Sequence, residues 1–363
     1  MKRLPIGLAL FICLPLAAKP IDSLDFKIGQ LFIVGFRGVA VSEQSPIVQD
    51  IQRRHLGGVI LFEYDVVLKQ SGRNVQSPTQ VKSLCAALQS YAKTKLLISI
   101  DEEGGKVNRL KPKYGFPPTV SAGYLGQLGS LDSARFYATQ TASLLSDLGV
   151  NLNLAPVCDV NVNPQNPAIG KVERSFSSNP DSVVLFATEV INAHRAKNVL
   201  TCVKHFPSYG SLKNDPHWEF ADVTDAWRPI ELKPFQALIS QGRADMVMTA
   251  HILNAKWDTL PATLSRKAIQ DMLRNEMGFD GVVCSDDMQM KAIAARYGLE
   301  QALKLALNAG VDMFIFGNNL DYDEQIAAKA IAIVKRLIER GEVKRERVEE
   351  AYRRIAALKA RLK

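Results

Sequence analysis

Two short segments of this sequence carry residue types suited to acid/base work. The first is Lys204-His205-Phe206-Pro207-Ser208-Tyr209-Gly210, closely followed by Asp215-Pro216-His217. It sets a carboxylate and an imidazole two residues apart in a polar stretch, so that the carboxylate can fix the tautomer and charge of the ring. The second is Gly281-Val282-Val283-Cys284-Ser285-Asp286-Asp287, an apolar run ending abruptly in two acids. Such a run reads as a buried strand, and acids at its end point toward a site.

The elements that must position these groups follow from periodicity. From Ile28 onward short apolar runs alternate with longer amphipathic stretches, the order of repeated strand-helix units. The candidate strands are residues 31–35, 57–62, 96–100, 151–156, 200–204, 246–250, 281–285 and 311–316. Helices are expected over 80–94, 133–148, 181–197, 265–277 and 299–309, with Ser or Asp at their starts and Gly149, Gly278 and Gly310 at their ends. Eight strands with intervening helices predict an α/β fold, a single (β/α)8 TIM-like barrel with extended loops. A doubly wound open sheet is the rival, and Val34-Gly35-Phe36-Arg37-Gly38 does not supply its phosphate-binding turn. No linker or composition shift divides the chain, so residues 19–363 are expected to form one domain.

Asp101, Asp159, His205, His251 and Asp286 each follow one of the strands. In a (β/α)8 barrel the C-terminal strand ends share one face, and that face carries the site. Five polar groups in one topological position argue for a common pocket.

Composition narrows the setting. Lys2 and Arg3, an apolar run from Ile6 to Leu16 and then Ala17-Ala18-Lys19 have the order of a secretory signal peptide, cut after Ala18. Bulky Ile12 before Cys13 argues against lipidation. An exported protein, periplasmic or secreted, with no stable membrane insertion after cleavage is expected. The net charge of +8 is spread along the chain without interleaved aromatics, which argues against nucleic-acid binding. The cysteines Cys85, Cys158, Cys202 and Cys284 have no ligand spacing, and three lie in apolar runs where free buried thiols are at least as expected as disulfides.

Several segments together resemble the glycoside hydrolase family 3 β-N-acetylglucosaminidases of bacterial cell-wall turnover. They are Asp101-Glu102-Glu103-Gly104-Gly105-Lys106-Val107-Asn108-Arg109, Ile169-Gly170 through Arg174-Ser175-Phe176, Lys204-His205-Phe206-Pro207, Asp215-Pro216-His217 and Ser285-Asp286-Asp287-Met288. The match runs in order over nearly the whole mature chain. It implies exo-acting hydrolysis of terminal β-linked GlcNAc from peptidoglycan fragments or chitooligosaccharides by a retaining mechanism, with no cofactor and no metal. By this resemblance Asp286 is the nucleophile, and His217 with Asp215 forms an acid/base dyad on a loop, residues 208–217, that closes on substrate with Gly210 as a hinge. Asp287 is expected to point elsewhere and to be structural, and His251 to shape the pocket floor as a core histidine.

Asp101, Arg109, Arg174, Lys204 and His205 are implied sugar-binding groups, and Gly104 and Gly105 are expected to let backbone approach the ligand. The chain departs from the family pattern where Ser208-Tyr209 replaces Gly-His and Pro216 replaces Ser. Two alternative readings remain open at the level of sequence. A phosphorylase would pass the glycosyl group to phosphate, and a non-catalytic glycan-binding barrel would bind GlcNAc without turnover.

Overall fold

A computed structural model describes residues 23–363, so the expected leader at 1–18 lies outside the described residues. Eight parallel strands close into a barrel: β1 (Phe32–Gly35), β2 (Gly58–Leu61), β3 (Leu97–Ile100), β4 (Leu152–Asn153), β5 (Leu200–Phe206), β6 (Met246–Thr249), β7 (Val282–Asp287) and β8 (Met313–Phe316). Each pairs with its neighbours in sequence, and β1 closes the ring on β8 through Ile33 and Ile315. The TIM-like barrel read from the sequence is therefore the fold. The exception to close agreement in strand length is β4, which stops short of the 156 expected. Pro156 has no N–H for the ladder, although the carbonyls of Ala155 and Pro156 accept the N–H groups of Cys202 and Lys204, and the Cys158 N–H donates to the Lys204 carbonyl at 2.6 Å.

Strands buried on both faces need nearly continuous apolar sequence. All four residues of β1, β2, β3, β6 and β8 are buried. A helix follows each strand: α1 (Pro46–Arg54), α2 (Pro78–Tyr91), α3 (Leu131–Leu148), α4 (Pro180–Ala196), α5 (Lys233–Ser240), α6 (Lys267–Glu276), α7 (Lys291–Ala309) and α8 (Ile326–Glu339). Local chemistry sets their ends. Ser77 and Asn179 accept N–H bonds at the starts of α2 and α4, each with Pro in the first turn. Gly149 closes α3 in the left-handed conformation, at φ 82°, that suits glycine. The helix expected at 299–309 is the second half of α7, which breaks at Gly298.

The C-terminal helix Arg345–Lys359 packs against β7 and beside the start of β8. There Arg347 and Arg354 pair with Asp312, while Arg361 beyond the helix pairs with Asp245. Part of the basic surplus at this end of the sequence is thus used inside the fold. Cys85, Cys158, Cys202 and Cys284 are all buried free thiols.

Candidate active site

The C-terminal strand ends surround a cavity of about 510 Å³. The eight residues named from the sequence as catalytic or sugar-binding line it: Asp101, Arg109, Arg174, Lys204, His205, Asp215, His217 and Asp286. The strand-end Asp159 and His251, also expected at a common pocket, are buried and do not border it. Asp101 follows β3, Lys204 and His205 end β5, Asp286 ends β7, and Asp215 and His217 arrive on the loop after β5.

Lys204 is buried and bridges two carboxylates, with its ammonium 2.7 Å from Asp101 and 2.6 Å from Glu103. Arg174 grips Glu103 through Nε and Nη2, both at 2.7 Å, and Arg109 stands 3.5 Å from Asp101. Burial pushes the Lys204 ammonium toward neutrality, but Asp101 and Glu103 outweigh it and raise its pKa above the ordinary value. Burial likewise pushes the Asp101 carboxyl up, and the Lys204 and Arg109 charges bring it below the usual range. The lattice is rigid and charged, with Asp101 still partly open to the cavity. It offers donors and an acceptor suited to ring hydroxyls.

Glu103 was not singled out from the sequence as the anchor of this lattice. Its signal was the acid run after β3. Glu63, which follows β2 as Asp101 follows β3, was missed as well. It lines the cavity and accepts from the Lys111 ammonium.

Asp286 has a donor on each oxygen. Oδ1 accepts the Asp287 N–H at 2.8 Å, and Oδ2 accepts the Tyr209 hydroxyl at 2.9 Å. Burial pushes this carboxyl up, but His205, His251 and His217 around it and the Asp287 N–H hold it down to about 2. It is an anion at neutral pH. Asp287 differs from expectation in bordering the same cavity. Its Oδ1 accepts the N–H groups of Gln289 and Gly317, so it secures the turn after β7. Burial lifts the Asp287 carboxyl to about 6 against those two bonds.

Consecutive residues of a strand should face opposite ways. Here Lys204 and His205 both line the cavity, as do Asp286 and Asp287. The ladder shifts register between Lys204 and Phe206 and again between Cys284 and Asp287, which re-aims the side chains at the two strand ends.

The dyad forms within one turn. Asp215 Oδ1 accepts the His217 N–H at 3.0 Å and lies 2.7 Å from Nδ1 of the ring. The Asp215 carbonyl accepts from Trp218 and Glu219. Pro216 occupies the first position of this turn, where no N–H is needed. Burial pushes the His217 imidazole toward neutrality, but the bond to Asp215 and the charge of Asp286 raise its pKa above the ordinary value. With Nδ1 engaged, Nε2 is left for a proton transfer in the cavity.

His205 is held from behind by Asp159, whose Oδ2 is 2.7 Å from Nδ1 and whose Oδ1 accepts the Tyr209 N–H at 2.8 Å. His251 is fully buried between Thr263 and the Asp287 carbonyl, the core histidine expected from the sequence. Ser208 takes φ 110°, a conformation glycine prefers, and its Oγ compensates by accepting the Gly210 N–H at 2.9 Å. Gly210 itself is a close-packing site, where a Cβ would stand 2.1 Å from the Val160 carbonyl oxygen. Gly104 and Gly105 turn against Val120 and Ser121, a use different from the ligand approach expected of them.

The family model "Glycosyl hydrolase family 3 N terminal domain" matches residues 23–358. A β-hexosaminidase of Tolumonas auensis is 34% identical over 267 residues, covering 73% of this chain and 76% of that protein. One from Stenotrophomonas maltophilia is 35% identical over 299 residues, covering 80% and 85%. Among solved structures, a family 3 β-N-acetylglucosaminidase of a Paenibacillus species superposes with a TM-score of 0.85 at 35% identity. The match takes in 93% of this chain, which spans only 62% of the length of that one. A β-N-acetylhexosaminidase of Beutenbergia cavernae matches with a TM-score of 0.81 at 29% identity, over 93% and 98%. Matched along its whole described barrel, the chain belongs to glycosyl hydrolase family 3 and stands among its β-N-acetylhexosaminidases.

Proposed function

We propose that this barrel is an exo-acting, retaining β-N-acetylglucosaminidase that removes terminal β-linked GlcNAc from peptidoglycan fragments or chitooligosaccharides. The observation that carries the reading is the pairing, in one cavity, of an ionised Asp286 with a His217 whose pKa is raised. In the first step an Asp286 oxygen bonds to the anomeric carbon as the bond from that carbon to the leaving oxygen breaks. His217 gives its proton to the leaving oxygen, and the glycosyl ester of Asp286 remains. In the second step a water oxygen bonds to the anomeric carbon, the ester bond breaks, and the water proton passes to His217. Asp101, Arg109, Arg174, Lys204 and His205 hold the sugar through its hydroxyls and N-acetyl group. Export of the enzyme is part of the same proposal and rests on the order of residues 2–18.

The test is release of aryl alcohol from an activated aryl β-N-acetylglucosaminide by residues 19–363, beside Asp286→Ala. Turnover that yields the β-anomer first, lost by about four orders of magnitude or more in the variant, is the expected result. An α-anomer formed first, a sugar 1-phosphate formed in phosphate buffer, or GlcNAc binding without turnover would each overturn it. For export, the N-terminus of the protein recovered from the producing cells should begin at Lys19.

A further inference from the structure

Tyr209 is 2% exposed and its hydroxyl has two partners. The His251 backbone N–H lies 2.9 Å away, and Asp286 Oδ2 lies 2.9 Å away. An amide N–H can only donate, so the hydroxyl accepts there and its own proton is directed at the carboxylate. The rest of the residue is fixed as tightly. Its N–H donates to Asp159, its carbonyl accepts from Asn166, and its ring lies 4.6 Å from the His205 ring. A buried phenol locked between a backbone amide and the reacting carboxylate is more than filler for the barrel mouth.

We propose that Tyr209 is a positioning residue for Asp286 whose hydroxyl speeds release of the glycosyl-enzyme. This rests on the reading of Asp286 as nucleophile given above. The hydrogen bond is strong while Asp286 carries charge and weak while it is an ester. In the first step that charge is consumed, so the bond steadies the starting anion and does not lower the barrier to attack. In the second step the charge returns to Asp286 as the ester bond breaks, and the donor stabilises the departing carboxylate. The hydroxyl therefore acts on the second step.

The test is steady-state and burst kinetics of Tyr209→Phe on an activated aryl β-N-acetylglucosaminide, whose good leaving group speeds the first step and should leave breakdown of the ester to limit kcat. Expected are a kcat lower by about tenfold or more, from the loss of one hydrogen bond to a charged group, and a kcat/KM that is unchanged or raised. A burst of aryl alcohol should precede steady turnover in both proteins, with the slower steady phase in the variant. Equal losses in kcat and kcat/KM, or no change in either, would sink the proposal. Replacing Tyr209 by 3-fluorotyrosine keeps the hydroxyl in nearly the same volume and covers a Phe variant that fails to fold. Its more acidic phenol should leave kcat at or above that of the unaltered enzyme, and a tenfold loss there would also overturn the idea. Asp286→Ala, run alongside, separates the two failures: turnover surviving in it removes the nucleophile assignment itself.

Discussion

At the scale of single residues, the pairing of Asp215 with His217 sets the pH behaviour. The Asp215 bond and the Asp286 charge raise the imidazole pKa above its ordinary value. A donor with a raised pKa is protonated below that pKa and loses its proton above it. Hydrolysis of glycosides with poor leaving groups should therefore fall as pH climbs through a value above the usual histidine range. His217→Ala should lower kcat/KM for such substrates by about 10²- to 10⁴-fold and abolish this basic limb. Activated aryl glycosides need less protonation and should lose much less. A pH profile of kcat/KM on both substrate types checks it, and a limb that persists in the variant would move the role elsewhere.

Glu103 makes a second prediction at this scale. It is buried and pairs with both Lys204 and Arg174. Glu103→Ala leaves two cations under-paired, which should cost about 3–5 kcal/mol of stability. Because Lys204 and Arg174 then lose their aim, KM should rise more than kcat falls, as melting and steady-state kinetics would show.

At the scale of elements, the loop after β5 divides into two parts. Ser208, Tyr209, Gly210, Ser211 and Leu212 are buried, whereas Lys213 and Asn214 are exposed and His217 is half-exposed. Closure on substrate, if the dyad moves, belongs to the later residues. Trypsin should cut after Lys213 in the free enzyme, and saturating GlcNAc should slow that cut several-fold. Cleavage equally fast in both states would remove the moving loop from the mechanism.

The same elements explain what could be read from the sequence. Eight apolar runs, five of them closely followed by an acid or histidine the sequence singled out, were enough to give the barrel and to bring eight named residues to one cavity. Pleat direction at strand ends was not legible, because register shifts in β5 and β7 turn successive residues the same way. Tyr209 stood out only as a departure from a family pattern. Its contact with Asp286 depends on how β5, β6 and β7 sit side by side, which no local spacing encodes.

At the scale of the whole molecule, the last helix packs beside the start of β8, and one of its residues is out of place electrostatically. Lys359 is buried, and its ammonium donates to the neutral Gln30 Oε1 at 2.7 Å. Burial depresses its pKa to about 7. Between pH 7 and the ordinary lysine pKa the unfolded chain binds a proton that the folded chain does not. Stability should therefore rise as pH increases through that window and level off below it. Lys359→Met removes the penalty while keeping the volume, and Gln30 keeps its bonds to the His55 and Leu56 carbonyls. The variant should be more stable at pH 7 by on the order of 2 kcal/mol, with a flatter rise of stability between pH 7 and 10 and unaltered KM. Denaturant unfolding at pH 7 and pH 10 tests both parts. An equal slope in the two proteins would mean that Lys359 stays charged in the fold, with Gln30 and its surroundings meeting the cost of the charge.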